Sequence, residues 1–158
     1  MKKFFFPLVT LVLLALAPCV SAADKLTIRK LVFVEDIQGL GNYTPRGNAG
    51  FTLDDTCTVY IEAEGFAMSL TPGAQDEYNM DLAVDVAIKL PESRRTLFSQ
   101  SDVTALTNKV RSELPVYLAF SFTFNGFMPG NYILEVGLRD NIGGQIMSQD
   151  LIIQVTEP

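Results

Sequence analysis

The stretch MDLAVDVAIKL, residues 80–90, decides the fold class. Leu82, Val84, Val86, Ile88 and Leu90 take every second position, with Asp81, Ala83, Asp85, Ala87 and Lys89 between them. Successive side chains of an extended strand point to opposite faces, so the run describes a strand with one face in a core and one in water. An amphipathic helix would space its apolar residues three and four apart.

The same period recurs along the chain. In VYLAFSFTFN, residues 116–125, Val116, Leu118, Phe120, Phe122 and Phe124 share a face. Tyr132, Leu134, Val136 and Leu138 share one in the next run, with Ile133, Glu135, Gly137 and Arg139 opposite. Cys57, Val59, Ile61 and Ala63 form an earlier run. Met147, Gln149, Leu151, Ile153 and Val155 form the last, and Gln149 interrupts its apolar side. Over residues 26–34 the parity slips, because Leu26 and Ile28 agree while Leu31 and Phe33 fall on the other count. Such a slip requires a bulge or a change of sheet.

Turn residues separate the runs. GLGNYTPRGNAG, residues 39–50, and TPGAQDE, residues 71–77, read as long loops. RDNIGGQ, residues 139–145, joins two strands and reads as a tight hairpin, with Asn141, Gly143 and Gly144 supplying positive backbone angles. Residues 97–114 are ambiguous: Val103, Leu106, Val110 and Leu114 have helical spacing, whereas the threonines and valines favour a strand. The reading adopted is a strand near 96–99 followed by an irregular or short helical segment. About seven strands at this spacing predict an all-β chain of two packed antiparallel sheets, a β-sandwich.

The first residues read as an address. Lys2 and Lys3 precede an apolar run over 4–17, and VSAA follows at 20–23. The run is short for a membrane span and fits a cleaved signal peptide, residues 1–23. Cys19 raises a lipoprotein alternative, which Pro18 in the position before it disfavours. The expected compartment is the bacterial periplasm or the exterior, with no integral span after processing. Removing 23 residues from 158 leaves 135, residues 24–158, a length that suits a single domain.

Only Cys57 survives that cleavage, so no disulfide within the chain is expected, and its parity reads as a buried structural residue. The chain carries 12 basic against 18 acidic residues, which argues against a nucleic-acid partner.

PGNYILEVGLRDNIGG, residues 129–144, carries a family resemblance. It resembles the E–F corner, strand F and F–G hairpin of immunoglobulin-like and fibronectin-III-like domains of bacterial exported proteins. The resemblance implies a Greek-key sandwich in which Tyr132 is the corner tyrosine, its hydroxyl bonded to backbone upstream. It also implies that Cys57 stands in the strand B half of a lost bridge whose other half is Leu134. No tryptophan stands in strand C, since the chain has none. This architecture hosts unrelated functions.

The inventory excludes much chemistry. Without histidine, no Ser-His-Asp or Cys-His apparatus and no imidazole-held zinc or copper is available. Asp81/Asp85 and Glu62/Glu64 are the carboxylate pairs left for hydrolysis, and they fall on outward strand positions. The expectation is a non-enzymatic module without a cofactor.

Its predicted partner is another envelope or secreted protein. The predicted contact surface is an outer sheet face with Ala83, Asp85, Ala87, Ile133, Glu135 and Ile152, joined by Asp81, Gly137, Ile146 and Asp150. Strand addition at a sheet edge is a second route to partners. The alternative is a small-ligand binder, for a glycan through outward Tyr60 and Tyr117 or for calcium through Asp140 and Asn141 with acids from other loops.

Overall fold

The computed structural model describes residues 25–73, 77–110 and 115–157. The predicted signal peptide lies outside the described residues, as do Asp76 and Leu114.

All regular structure among the described residues is strand. In chain order the strands are β1 (Thr27–Gly39), β2 (Asn42–Pro45), β3 (Gly50–Thr52), β4 (Thr56–Glu64) and β5 (Ser69–Leu70). Then come β6 (Tyr78–Lys89), β7 (Thr96–Val110), β8 (Val116–Thr123), β9 (Gly130–Asp140) and β10 (Gln145–Thr156). No helix among these residues is long and apolar enough to cross a membrane.

The strands form two sheets. The first runs β2-β1-β4-β8; the second runs β3-β10-β9-β6-β5, with β7 also paired to β6. Neighbours are antiparallel except β3 and β10, which run parallel. One apolar cluster draws on both sheets: Ile28, Phe33, Val59, Ile61, Leu118 and Phe120 from the first, and Leu82, Val84, Leu134, Val136, Leu138 and Ile153 from the second. Period-two alternation therefore resolves into inward rows that share a core. A line of rings closes one end, with Phe33, Phe51, Phe124, Phe127 and Tyr132 in successive contact at centroid distances of 5.1, 5.5, 6.2 and 5.5 Å. The Tyr132 hydroxyl donates to the Met128 carbonyl oxygen at 2.6 Å, fixing the chain where it enters β9.

The parity slip in the first strand is a bulge. The β1–β4 register shifts between Ile28 and Lys30, so Leu26 and Ile28 and then Leu31 and Phe33 all reach the core.

Two sequence readings are corrected. The stretch 39–50 is not one long loop. It contains β2 and reaches β3, because after pairing with β1 the chain crosses to run beside β10. Residues 100–110 are neither irregular nor helical, since β7 pairs with β6 from Thr96 to Val110. A second bulge explains the misleading spacing. Gln100 pairs with Val86 and Thr104 with Val84, leaving residues 101–103 opposite Asp85 alone, and Asp102 adopts φ 55°. Val103 and Leu106 both pack on the core although three positions apart.

Candidate interaction face

The outward residues of β10, β9 and β6 form one surface, because these strands are neighbours in fixed register. Its rows are Ile146–Arg139–Ala83, Ser148–Gly137–Asp85, Asp150–Glu135–Ala87 and Ile152–Ile133–Lys89. Every residue of the predicted contact surface lies in or beside these rows. Their character differs from a flat apolar patch in two respects.

First, the centre is ionic. Arg139 donates from Nε to Asp85 Oδ2 at 2.8 Å, from a terminal nitrogen to Asn141 Oδ1 at 3.1 Å, and also pairs with Asp102 on β7. The Asp102 N–H, turned by the bulge, donates to Asp85 Oδ1 at 2.9 Å. Burial pushes the Asp85 carboxyl up, but the bonds from Arg139 and the Asp102 N–H outweigh it, and the carboxyl sits below its ordinary value. Beside this group, Glu135 accepts from Lys89 Nζ at 2.6 Å and Arg94 at 3.3 Å, and Arg94 reaches Asp150 at 2.6 Å. Arg94 stands in the β6–β7 turn with φ 55°, which aims it across the sheet toward β10. Second, Ala83 is only 2% exposed and offers nothing to a partner. The apolar contacts left are at the rim, where Ile146 is 71% and Ile152 70% exposed.

Among the described residues, no group of three or more acidic or cysteine side chains is placed to hold a metal ion. Asp140, predicted as a calcium ligand, is buried and committed. Its Oδ1 accepts the N–H groups of Ile142 and Gly143 at 3.0 and 2.9 Å, and its Oδ2 accepts that of Ala67 at 2.7 Å. Asn141 is occupied too, donating from its amide to Asp81 Oδ1 at 2.9 Å. The hairpin itself stands as read, but only Gly144, at φ 67°, takes a positive angle; Asn141 and Gly143 do not. Gly143 is there for space, since a Cβ would collide with the Asp140 carboxylate and lie 2.9 Å from the Ala67 Cβ.

No family model matches the chain, and no curated protein matches it. Similar solved structures include the Pseudomonas fluorescens alkylpurine DNA glycosylase AlkC bound to DNA containing an abasic site analog, with TM-score 0.42 and 13% identity over 84% of this chain and 30% of that one. Another is the beta-glucosidase from Listeria innocua in complex with isofagomine, with TM-score 0.43 and 10% identity over 83% of this chain and 16% of that one. The chain thus spans less than a third of either protein, and no activity follows from them.

On the other sheet, Tyr60 and Tyr117 are neighbours as the parity suggested, stacked with centroids 5.6 Å apart. A third ring joins them: the β1–β2 hairpin brings Tyr43 to 4.4 Å from Tyr60. Gly41, at the hairpin tip, donates its N–H to the Tyr60 hydroxyl at 2.8 Å, and that hydroxyl donates to Glu62 Oε1 at 2.9 Å. Tyr60 is therefore fully buried and cannot form a ligand platform; of the predicted pair only Tyr117, 38% exposed, meets solvent. Burial, reinforced by Glu62, pushes the Tyr60 phenol up to about 12. Cys57 is buried, and desolvation raises its thiol to about 12, which suits packing and not reactivity.

Sequence reasoning missed Arg94, Arg139 and Tyr43. Arg139 had the right parity, and its partner is set by strand order. Arg94 and Tyr43 lie in a turn and a short strand, where alternation carries no signal.

Proposed function

We propose that the chain is an exported, non-enzymatic, immunoglobulin-like module that binds another envelope or secreted protein through the outer face of β6, β9 and β10. Support for the architecture comes from strand order. A β1-β4-β8 sheet faces a β10-β9-β6-β7 sheet, with β3 parallel to β10 at its edge, as strands A, B and E face G, F and C in such domains. The basic start, apolar run and VSAA motif support export.

The observation that carries the binding role is the pair Ile146 and Ile152, both about 70% exposed on one strand of a face whose charges are already paired with each other. Internal pairing holds the side chains between the isoleucines in fixed positions, so a partner meets a preorganised surface with an apolar anchor at each end. Burying both would contribute about 3–5 kcal/mol, roughly two to three and a half decades of affinity.

The test is affinity capture from a native envelope extract, comparing the wild-type chain with Ile146→Glu/Ile152→Glu. Both side chains are solvent-facing, so the variant should fold unchanged. Loss of a captured protein supports the reading, whereas a partner that follows both chains equally sinks it.

A further inference from the structure

The sulfur atoms of the described residues differ sharply in their surroundings. Met80 belongs to the core, and Met68 and Met147 pack against it from its margins. Cys57 is buried, and desolvation raises its thiol to about 12, so the reactive thiolate is scarce at neutral pH. Met128 stands apart. At 76% exposure it is the most solvent-open large apolar side chain among the described residues.

The backbone that carries it is fixed. Met128 lies between the end of β8 at Thr123 and the start of β9 at Gly130. The Phe127 N–H donates to the Phe124 carbonyl oxygen at 2.9 Å, and the Met128 carbonyl oxygen accepts the Tyr132 hydroxyl at 2.6 Å. The Phe127 ring meets Phe124 and Tyr132 edge-on, at centroid distances of 6.2 and 5.5 Å, and packs on the core. With Phe127 turned inward and the next carbonyl pinned, the Met128 thioether is held out in water. A methionine ordinarily serves as a gap-filler in an apolar interior. Here the side chain fills no gap, and its sulfur is open to any oxidant dissolved in the solvent.

We propose that Met128 is a modification site, converted reversibly to the sulfoxide by hydrogen peroxide and similar two-electron oxidants before any other sulfur among the described residues. A sulfur lone pair attacks one peroxide oxygen, and the S–O bond forms as the O–O bond breaks. The departing hydroxide takes up a proton and leaves as water. Sulfur is oxidised by two electrons and the peroxide is reduced by two. Methionine sulfoxide reductases reverse the step: a dithiol is oxidised to its disulfide and the oxygen leaves as water. The sulfoxide is polar and stays in solvent, so the core does not have to accommodate it. The same change at Met80 would put a polar group into the packed interior. The site is separate from the outer face of β6, β9 and β10 and does not depend on it.

Graded hydrogen peroxide on the folded protein, with peptide mapping by mass spectrometry, tests the assignment. Expected is one oxygen on Met128 before any on Met68, Met80 or Met147, with a melting temperature unmoved by that first addition. The two sulfoxide reductases, one for each epimer, with dithiothreitol as the dithiol should return the folded protein to its original mass. In Met128→Leu the early uptake should be lost while the melting temperature stays with the wild type. Oxidation of Met68 or Met147 as early as Met128, a fall in melting temperature with the first oxygen, or a sulfoxide that the reductases leave in place overturns the proposal.

Discussion

Gln149, on the core side of β10, donates its amide to the Ile28 carbonyl oxygen at 3.2 Å, joining the two sheets. Ile28 is where the β1 register shifts, so its carbonyl stands at a break in the ladder. The polar interruption in the last strand and the parity slip in the first are two halves of one contact. Replacing Gln149 with Leu would make the sequence pattern of β10 more regular. It should nevertheless destabilise the chain by about 1 kcal/mol, because the carbonyl loses its partner. Urea denaturation checks this, and a gain in stability would contradict the pairing.

The β9–β10 hairpin depends on Asp140 in a similar way. Asp140→Ala would leave three N–H groups, those of Ala67, Ile142 and Gly143, without their acceptor, at a cost of roughly 3 kcal/mol. Gly143→Ala should cost about 1–3 kcal/mol through the collision with Asp140 and Ala67. Calcium added at millimolar concentration should leave the melting temperature of the wild type unmoved, since these oxygens already have donors. A calcium-dependent rise in Tm would restore the metal reading.

Alkaline titration isolates Tyr60. Its phenol is raised from the ordinary 10.0 to about 12, chiefly by burial, so folding favours the neutral form. Stability from this group is complete below pH 10 and is lost as pH rises through about 12. Tyrosinate absorbance should show Tyr60 ionising in a late step near pH 12, together with unfolding. In Tyr60→Phe that late step should vanish, and stability at neutral pH should fall by about 1 kcal/mol with the loss of the bonds to Gly41 and Glu62.

Acid acts on Asp85 in the opposite sense. Its folded pKa lies below the ordinary 3.8, so its stabilising effect is present above that value and disappears as pH falls through the folded pKa. Melting curves of the wild type and Asp85→Asn should therefore differ near neutral pH and converge as acidification passes the folded pKa of Asp85. Parallel curves across the whole range would show that the Arg139–Asp85 pair contributes nothing.

The strands with unbroken alternation, β6, β8 and β9, were legible from residue order because side-chain direction along a strand is a local property of the backbone. The bulge in β1 was legible too, as a slip in parity. The bulge in β7 was not. It set Val103 and Leu106 three positions apart on the core, a spacing that a helix produces equally well. Only pairing with β6 distinguishes the two.

The predicted contact face divides in the same manner. That Asp85, Glu135, Ile133 and Ile152 point outward follows from alternation within each strand. That Asp85 and Glu135 are neutralised by Arg139, Lys89 and Arg94, that Ala83 is covered, and that Tyr60 lies beneath the β1–β2 hairpin depends on contacts between residues far apart in the chain. Residue order specifies which way a side chain faces. Strand order, register and the curl of a hairpin specify what it meets there, and those are settled only when the whole chain packs.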